Sequence, residues 1–564
     1  MKKNTIHFAK AMLTVCLALL TSLPATAQSW AKKAAGAVFT LKTFAADGTL
    51  LGSSNGFFIS DDGQAVSSFA PFRNAQRAVV IDAQGKEWAV ECLLGANDMY
   101  DVAKFQVATK KATALTMAAQ TATVGSTAWL LPYAAKKAPA GIQGTVDASE
   151  QFQEQYPYYT LSMAANDQHV GCPVLNDNGE AIGILQPSAG GQSAKSFAVG
   201  CRFARDLHIS GMSINDPVLN ATTIAKALPD NYDDALLSLF MSGSVMNQQQ
   251  YDDYIERFIA KFPNAADGYV YRARTAMAKG DFAAADADMQ QALKVAEKKD
   301  DAHYQYAQMM YQKAAYQADK PYEPWSLDRA LQESQQAYTL NPLPVYRQQQ
   351  AQILFLQQKY DEAYQIFMEL TKGELRNADT YYAAAQCKMQ QGDRDASIAL
   401  LDSAVNMFTK PYVKTAAPYL LARAQALYDA GKYRLAVNDY NEYEQLMAAQ
   451  LNAGFYFLRE QAELKGHLFQ QALNDINKAI EMDASEPVYL AEKASLLVRV
   501  GMHNEAIETA QQLIRLSPDS SDGYLFLGLA QCLNKQKAEG LKNLTKAKEL
   551  GHAQAQSLID KYGK

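Results

Sequence analysis

Two hydrophobic periods divide the chain. From Gly36 to about residue 212 apolar side chains recur at every second position in short runs. Ala37 to Leu41 (AVFTL) reads as a strand, and Asp47-Gly48 marks a hairpin turn after it. Gly52 to Ile59 is a second apolar run, closed by Asp62-Gly63. Further short strands are predicted over 78–81, 87–94, 102–107, 128–131, 144–146 and 158–161. The stretch Asp167-Gln168-His169-Val170-Gly171-Cys172-Pro173-Val174 then reads as a tight turn entering a buried strand. Asn176 to Gly179 is a polar hairpin, and Ala181 to Ile184 a second buried strand. Many short strands with regular turn signals predict a sandwich or a barrel, and periodicity does not choose between them.

After Ile214-Asn215-Asp216-Pro217 the apolar spacing becomes helical and stays so to the end. A Gly-x-aromatic-x-x-Ala pattern recurs, as in Gly280 to Ala285, Lys359 to Ala363, Gly392 to Ser397, Gly431 to Ala436, Leu468 to Ala472 and Gly501 to Ala506. Taking Ala363, Ser397, Ala436, Ala472 and Ala506 as one phase gives steps of 34, 39, 36 and 34 residues. That period resembles the tetratricopeptide (TPR) repeat, a helix pair of about 34 residues. Pro263, Pro342 and Pro518 stop second helices, and Ala273, Ala385, Ala424, Ala494 and Gly528 sit where the first helix must approach the second. About nine helix pairs are expected, starting near 232, 267, 302, 345, 377, 416, 453, 487 and 521, with an insertion around Lys320 to Trp325 in the third. The expected layout is a strand-rich domain over 30–212, a linker over 213–231, a solenoid over 232–552 and a capping helix over 553–564.

Composition adds an address and removes some functions. Lys2, Lys3 and Lys10, an apolar run from Ala11 to Leu20, and Ala25-Thr26-Ala27 before Gln28 have the layout of a secretory leader over 1–27. The expectation is an exported protein, periplasmic or envelope-associated in a Gram-negative bacterium, with no transmembrane helix once the leader is cleaved. The formal charge of −6 becomes more negative when the leader's lysines go, and no basic cluster is present, which argues against nucleic acid. Five cysteines follow the leader (Cys92, Cys172, Cys201, Cys387 and Cys532), without metal-type spacing, so no metal or cofactor is expected. Cys172 and Cys201 are placed either as one bridge or as two separately buried thiols.

Three stretches resemble the trypsin-like (chymotrypsin-fold) serine proteases. Gly56-Phe57-Phe58-Ile59-Ser60-Asp61-Asp62-Gly63 is similar to the strand and turn leading to that family's catalytic histidine, and there the chain has Val66-Ser67-Ser68-Phe69-Ala70. Asn97 to Phe105 is similar to the strand carrying the orienting aspartate and puts Asp101 at that position. Aligning Gly171 and Pro173 with the nucleophile loop puts Val170 at the serine and Gln168 at a glycine whose N–H helps form the oxyanion hole. Ser196-Phe197-Ala198-Val199 resembles the substrate-flanking strand. The resemblance covers residues 34–205 and implies a double β-barrel followed by the all-α array.

It also implies a site without its chemistry. Acyl transfer on this scaffold needs a nucleophile, a base within hydrogen-bond reach and an oxyanion hole. Valine has no hydroxyl and alanine accepts no proton, so no catalytic residue is expected at the triad positions Ala70, Asp101 and Val170. The expected function is a non-enzymatic scaffold: a TPR surface that holds protein or peptide, beside a protease-like barrel. The alternative is a peptidase with relocated groups, for which only His169, His208 and Cys172 are local.

Overall fold

A computed structural model describes residues 30–135, 139–187 and 195–564. The leader read over 1–27 lies outside the described residues. The chain divides into two compact units, Met1–Thr275 and Ala276–Lys564.

The first unit contains twelve strands among its described residues: β1 Val38–Phe44, β2 Leu50–Phe58, β3 Gln64–Ser67, β4 Arg77–Ile81, β5 Glu87–Asn97, β6 Val102–Val107, β7 Thr127–Leu130, β8 Ile142–Phe152, β9 Tyr156–Leu161, β10 Pro173–Leu175, β11 Ala181–Leu185 and β12 Ser196–Gly200. They close into two six-stranded barrels, in the orders β1-β2-β3-β6-β5-β4 and β10-β11-β12-β9-β8-β7. The double barrel implied by the resemblance is therefore present. Closure leaves no free sheet edge, which is how short strands with modest individual pairing hold together. β8 runs well beyond the span that alternation alone predicts. β8 continues through Asp147, Ser149, Glu150 and Gln151 because one face of its pairing with β9 meets solvent, where polar side chains cost nothing.

Each barrel fills with its own side chains. Phe39, Leu41, Phe58, Phe69, Phe72 and Phe105 are buried in the first, and Leu130, Val146, Tyr159, Leu161, Val174 and Ile182 in the second. A third apolar cluster joins the two: Val38, Phe57, Val66 and Val102 meet Leu131, Leu175, Ile184 and Val199. A short helix α1 (Ala31–Ala35) and a helix α2 (Cys201–Asp206) add Ala34, Ala35, Phe203 and Ala204 to that cluster.

The stretch expected to be a linker is tied to the first barrel. Leu219, in α3 (Pro217–Asn220), and Ile224 after it are buried in the barrel's core. The Leu93 N–H donates to the Ala225 carbonyl at 2.8 Å, the Ala227 N–H to the Leu93 carbonyl at 2.9 Å, and the Asn74 N–H to the Ala221 carbonyl at 2.7 Å. The unit then continues into α4 (Tyr232–Ser242), α5 (Gln248–Lys261) and the beginning of α6 (Ala266–Lys279).

The second unit is helical in all its regular elements: α7 Phe282–Val295, α8 Lys299–Tyr316, α9 Leu327–Leu340, α10 Pro344–Leu356, α11 Tyr360–Leu370, α12 Ala378–Gln390, α13 Arg394–Val405, α14 Ala417–Asp429, α15 Tyr433–Met447, α16 Ala453–Lys465, α17 Phe469–Met482, α18 Pro487–Arg499, α19 His503–Leu516, α20 Ser521–Leu533, α21 Lys537–Glu549 and α22 Ala555–Gly563. The alanines of the repeat phase, Ala363, Ala436, Ala472 and Ala506, are fully buried, as contact between paired helices requires. The arrangement is that of a TPR-like array. Polar pins recur inside it. Arg423 holds Asp439 with two hydrogen bonds of 2.8 Å, and Arg459 holds Asp475 with bonds of 2.6 and 2.9 Å. Trp325, in the insertion between α8 and α9, is buried with its indole N–H on Asp286 at 2.7 Å.

Candidate functional site

The loop between β9 and β10 is built from its own polar groups. Asn166 caps a single 3₁₀ turn over Asp167–His169. Its side-chain oxygen accepts the Gln168 N–H at 3.0 Å, and the Asn166 N–H in turn points to His169 Nδ1 at 3.4 Å. The Val170 N–H donates to the Asp167 carbonyl at 3.3 Å. The two backbone donors at the oxyanion positions, those of Gln168 and Val170, are thus both engaged within the loop.

A brace from β2 fixes this turn. Asn55 donates its side-chain amide to the Gln168 carbonyl at 2.7 Å and to the Val170 carbonyl at 3.3 Å. The Asn55 N–H reaches the Val170 carbonyl at 3.0 Å, and the Ser54 hydroxyl reaches it at 3.1 Å. Gly171 follows with φ +82°, and a Cβ there would stand 2.0 Å from the Asn55 carbonyl oxygen. Only glycine passes so close to β2 in that backbone region.

Asp101 sits at the start of β6 with φ +45°, the left-handed region that aspartate tolerates better than most residues. Its carboxylate accepts the Ala70 N–H at 2.6 Å and the Ser68 hydroxyl through the other oxygen. The sequence-derived pair Ala70 and Asp101 is therefore adjacent in space, but the carboxylate is spent on local backbone and hydroxyl donors. Ala70 begins a short 3₁₀ turn, Ala70–Phe72, and is exposed.

The groups that a relocated site would need are otherwise occupied. His169 is held in the capping box, and burial lowers its pKa below the ordinary value. His208 Nδ1 lies 3.0 Å from the Asp206 carbonyl. Cys172 and Cys201 are both free and fully buried, not bridged, and burial pushes each thiol up to about 12. A thiol so far from its thiolate is a poor nucleophile. Among the described residues no group of three or more His, Cys, Asp or Glu is arranged to hold a metal ion. No helix among them is long and apolar enough to cross a membrane.

Two features of the site escape sequence reading. One is the Asn166 and Asn55 bracing; its only trace was a strand that buries Ser54 and Asn55 where apolar residues are the rule. The other is an aromatic cluster beside Asp101, where Tyr100 stacks on Phe152 at 4.0 Å and meets Phe203 edge-on at 5.5 Å. Tyr158 lies 6.3 Å from Tyr100 and stacks on Phe197 of β12, the strand expected to flank substrate.

Residues 54–184 match the family described as Trypsin-like peptidase domain. A stretch of 86 residues, 15% of the chain, is 28% identical to Protein SGT1 homolog from Bos taurus and spans about a quarter of that protein's length.

Proposed function

We propose that the trypsin-like peptidase domain matched over residues 54–184 is kept as a non-catalytic fold. The chain would then work as an exported protein-binding scaffold with its helical repeats as the interaction surface. The observation that carries this reading is the loop over 166–172. Both oxyanion donors are bonded inside it, with Val170 at the nucleophile position and Ala70 at the base position. A pocket that offers no free N–H to a developing oxyanion forfeits the largest single term in acyl transfer, typically 10²–10³-fold for one donor. Nucleophile and base act as a unit, so the loss of both leaves little for a substitute to rescue. The helical array supports the binding half of the proposal, because repeats of this kind stack into extended surfaces and carry no chemistry of their own. The leader supports an address outside the cytoplasm.

The test couples two measurements. A broad peptide-substrate panel, with serine- and thiol-directed reagents at about pH 8, should give neither turnover nor labelling of Cys172 or Cys201. Affinity capture from an envelope fraction, with residues 30–275 and 276–564 as separate baits, should recover a defined protein partner on the second bait. Turnover that disappears on replacing His169, His208 or Cys172 would defeat the scaffold reading in favour of a relocated peptidase.

A further inference from the structure

One repeat carries carboxyl groups where its neighbours carry hydrocarbon. Ala385, Ala424, Ala494 and Gly528 each stand twelve residues before the phase residues Ser397, Ala436, Ala506 and Gly540. The residue twelve before Ala472 is Glu460. This position faces the partner helix at close range: a Cβ at Gly528 would lie 2.7 Å from the Gly540 carbonyl oxygen. Three residues on, where the flanking repeats bury Leu427 and Leu497, α16 has Glu463.

Both side chains are inside. Glu460 is 0% and Glu463 3% exposed, and Glu460 Oε1 and Glu463 Oε2 have no hydrogen-bond partner. The other Glu460 oxygen accepts from Gln461 at 2.6 Å, and Glu463 Oε1 lies 3.8 Å from Arg459 Nε. Arg459 is already committed elsewhere. It donates to Asp475 twice, to Glu444 at 2.5 Å and to Asn441 at 2.8 Å. The charged groups around the pair are Glu444 on α15, Arg459 on α16, Asp475 on α17, and Glu492 and Arg499 on α18. Counting the pair itself, five of these seven groups would be anionic if fully ionised, and two cations do not neutralise them in a dry interior. Burial accordingly pushes Glu460 up to about 7, and burial together with Asp475 moves Glu463 the same way.

We propose that the α16–α17 pair is a pH-responsive joint in the helical array, closed when Glu460 and Glu463 are protonated and loosened when they ionise. A protonated carboxyl here packs as a neutral side chain beside Ala472 and Asp475. An ionised one puts an unpaired charge into a helix interface whose polar partners are spent, and the interface opens to hydrate it. The joint would separate the two repeats on either side at neutral to mildly alkaline pH, with no ligand involved. The inference concerns the array alone and stands whether or not the barrels are catalytically silent.

Hydrogen exchange with mass spectrometry on the full-length protein tests it, at about pH 5.5 and about pH 8.5 with intrinsic rates corrected for pH. Peptides within 453–482 should lose protection at the higher pH by on the order of tenfold or more. Peptides in α12–α13 and α20–α21 should keep theirs. The variant E460A/E463L, which installs the residues of the flanking repeats, should be protected equally at both pH values, and E460Q/E463Q should abolish the pH difference while keeping the shape. Equal protection of 453–482 at both pH values in the unaltered protein, or a pH difference that survives in both variants, would overturn the proposal.

Discussion

At the scale of residues, the site over 166–172 turns on where a few N–H groups point. Asn166 takes the Gln168 N–H and the Asp167 carbonyl takes the Val170 N–H, while Asn55 holds the carbonyls of the same two residues, Gln168 and Val170. Restoring only the missing side chains should therefore not restore catalysis. The double variant A70H/V170S is expected to stay at background in a sensitive peptide or ester hydrolysis assay, because the donors remain turned into the loop and Asp101 remains bonded to Ser68 and to the backbone of residue 70. Hydrolysis well above background by that variant would mean the loop opens readily and that the two side chains alone had been lost. Sequence gave access to part of this. Ala70, Asp101 and Val170 could be placed through the resemblance of their stretches to the trypsin-like motifs, and the structure sets the Asp101 carboxylate on the Ala70 N–H. The capping by Asn166 could not be placed, since an asparagine before a turn is common and nothing local says which N–H it will take.

At the scale of elements, period and punctuation carried most of the information. Strands with clear alternation and the helices of a repeating array announce themselves, because each must bury one face and the array repeats the solution. The segment over 217–228 did not, for a physical reason: it is too short for either period to register, and its apolar residues Leu219, Ile224 and Leu228 are spread through polar sequence. Leu219 and Ile224 close the first barrel's core, with Leu219 2% exposed, while Leu228 packs with Ala235 and Leu239 of α4 and Ile255 and Phe258 of α5. L219A should cost about 2–4 kcal/mol, the range for emptying a well-packed leucine site, read as a shift in the denaturant midpoint. Limited proteolysis should spare 217–228 in the unaltered protein and cut there in the variant. Rapid cleavage in both would mean that the segment is held far more weakly than its bonds to Ala75 and Leu93 imply. The ion pins of the array obey similar logic. Arg423–Asp439 and Arg459–Asp475 occupy equivalent places in successive repeats, and the series ends where the next repeat has Lys493 and Thr509.

At the scale of the whole chain, the titrating groups combine into one stability profile. Asp62 and Asp300 have lowered pKa values, the first through the Ser60 hydroxyl and the second through the Asn341 amide. A depressed carboxyl contributes stability that is present above its unfolded pKa and lost as pH falls through its folded one, so these groups weaken the fold in acid. Glu460, Glu463 and Glu492 run the other way. Burial raises each, so the folded state holds protons that the unfolded chain has released, and stability drains as pH climbs from the ordinary glutamate value of 4.5 to about 7 for Glu460. For Glu460 alone the linkage is on the order of 3 kcal/mol at most, since the carboxyl relaxes toward water before the full penalty is met. Tyr306, Tyr419 and Tyr440 are also raised by burial, the first two with help from Asp286 and Asp379, which places a second decline above the ordinary tyrosine value of 10. Thermal midpoints measured from about pH 3 to about pH 11 should therefore peak on the mildly acidic side, near pH 5, and fall toward pH 8 before a steeper alkaline loss. Replacing Glu460 and Glu463 should remove most of the middle decline, leaving Glu492's share and both ends in place. A midpoint that instead rises steadily from pH 5 to pH 8 would show that the buried glutamates are solvated in the folded chain, because only a group held protonated by its surroundings can make stability fall over that interval.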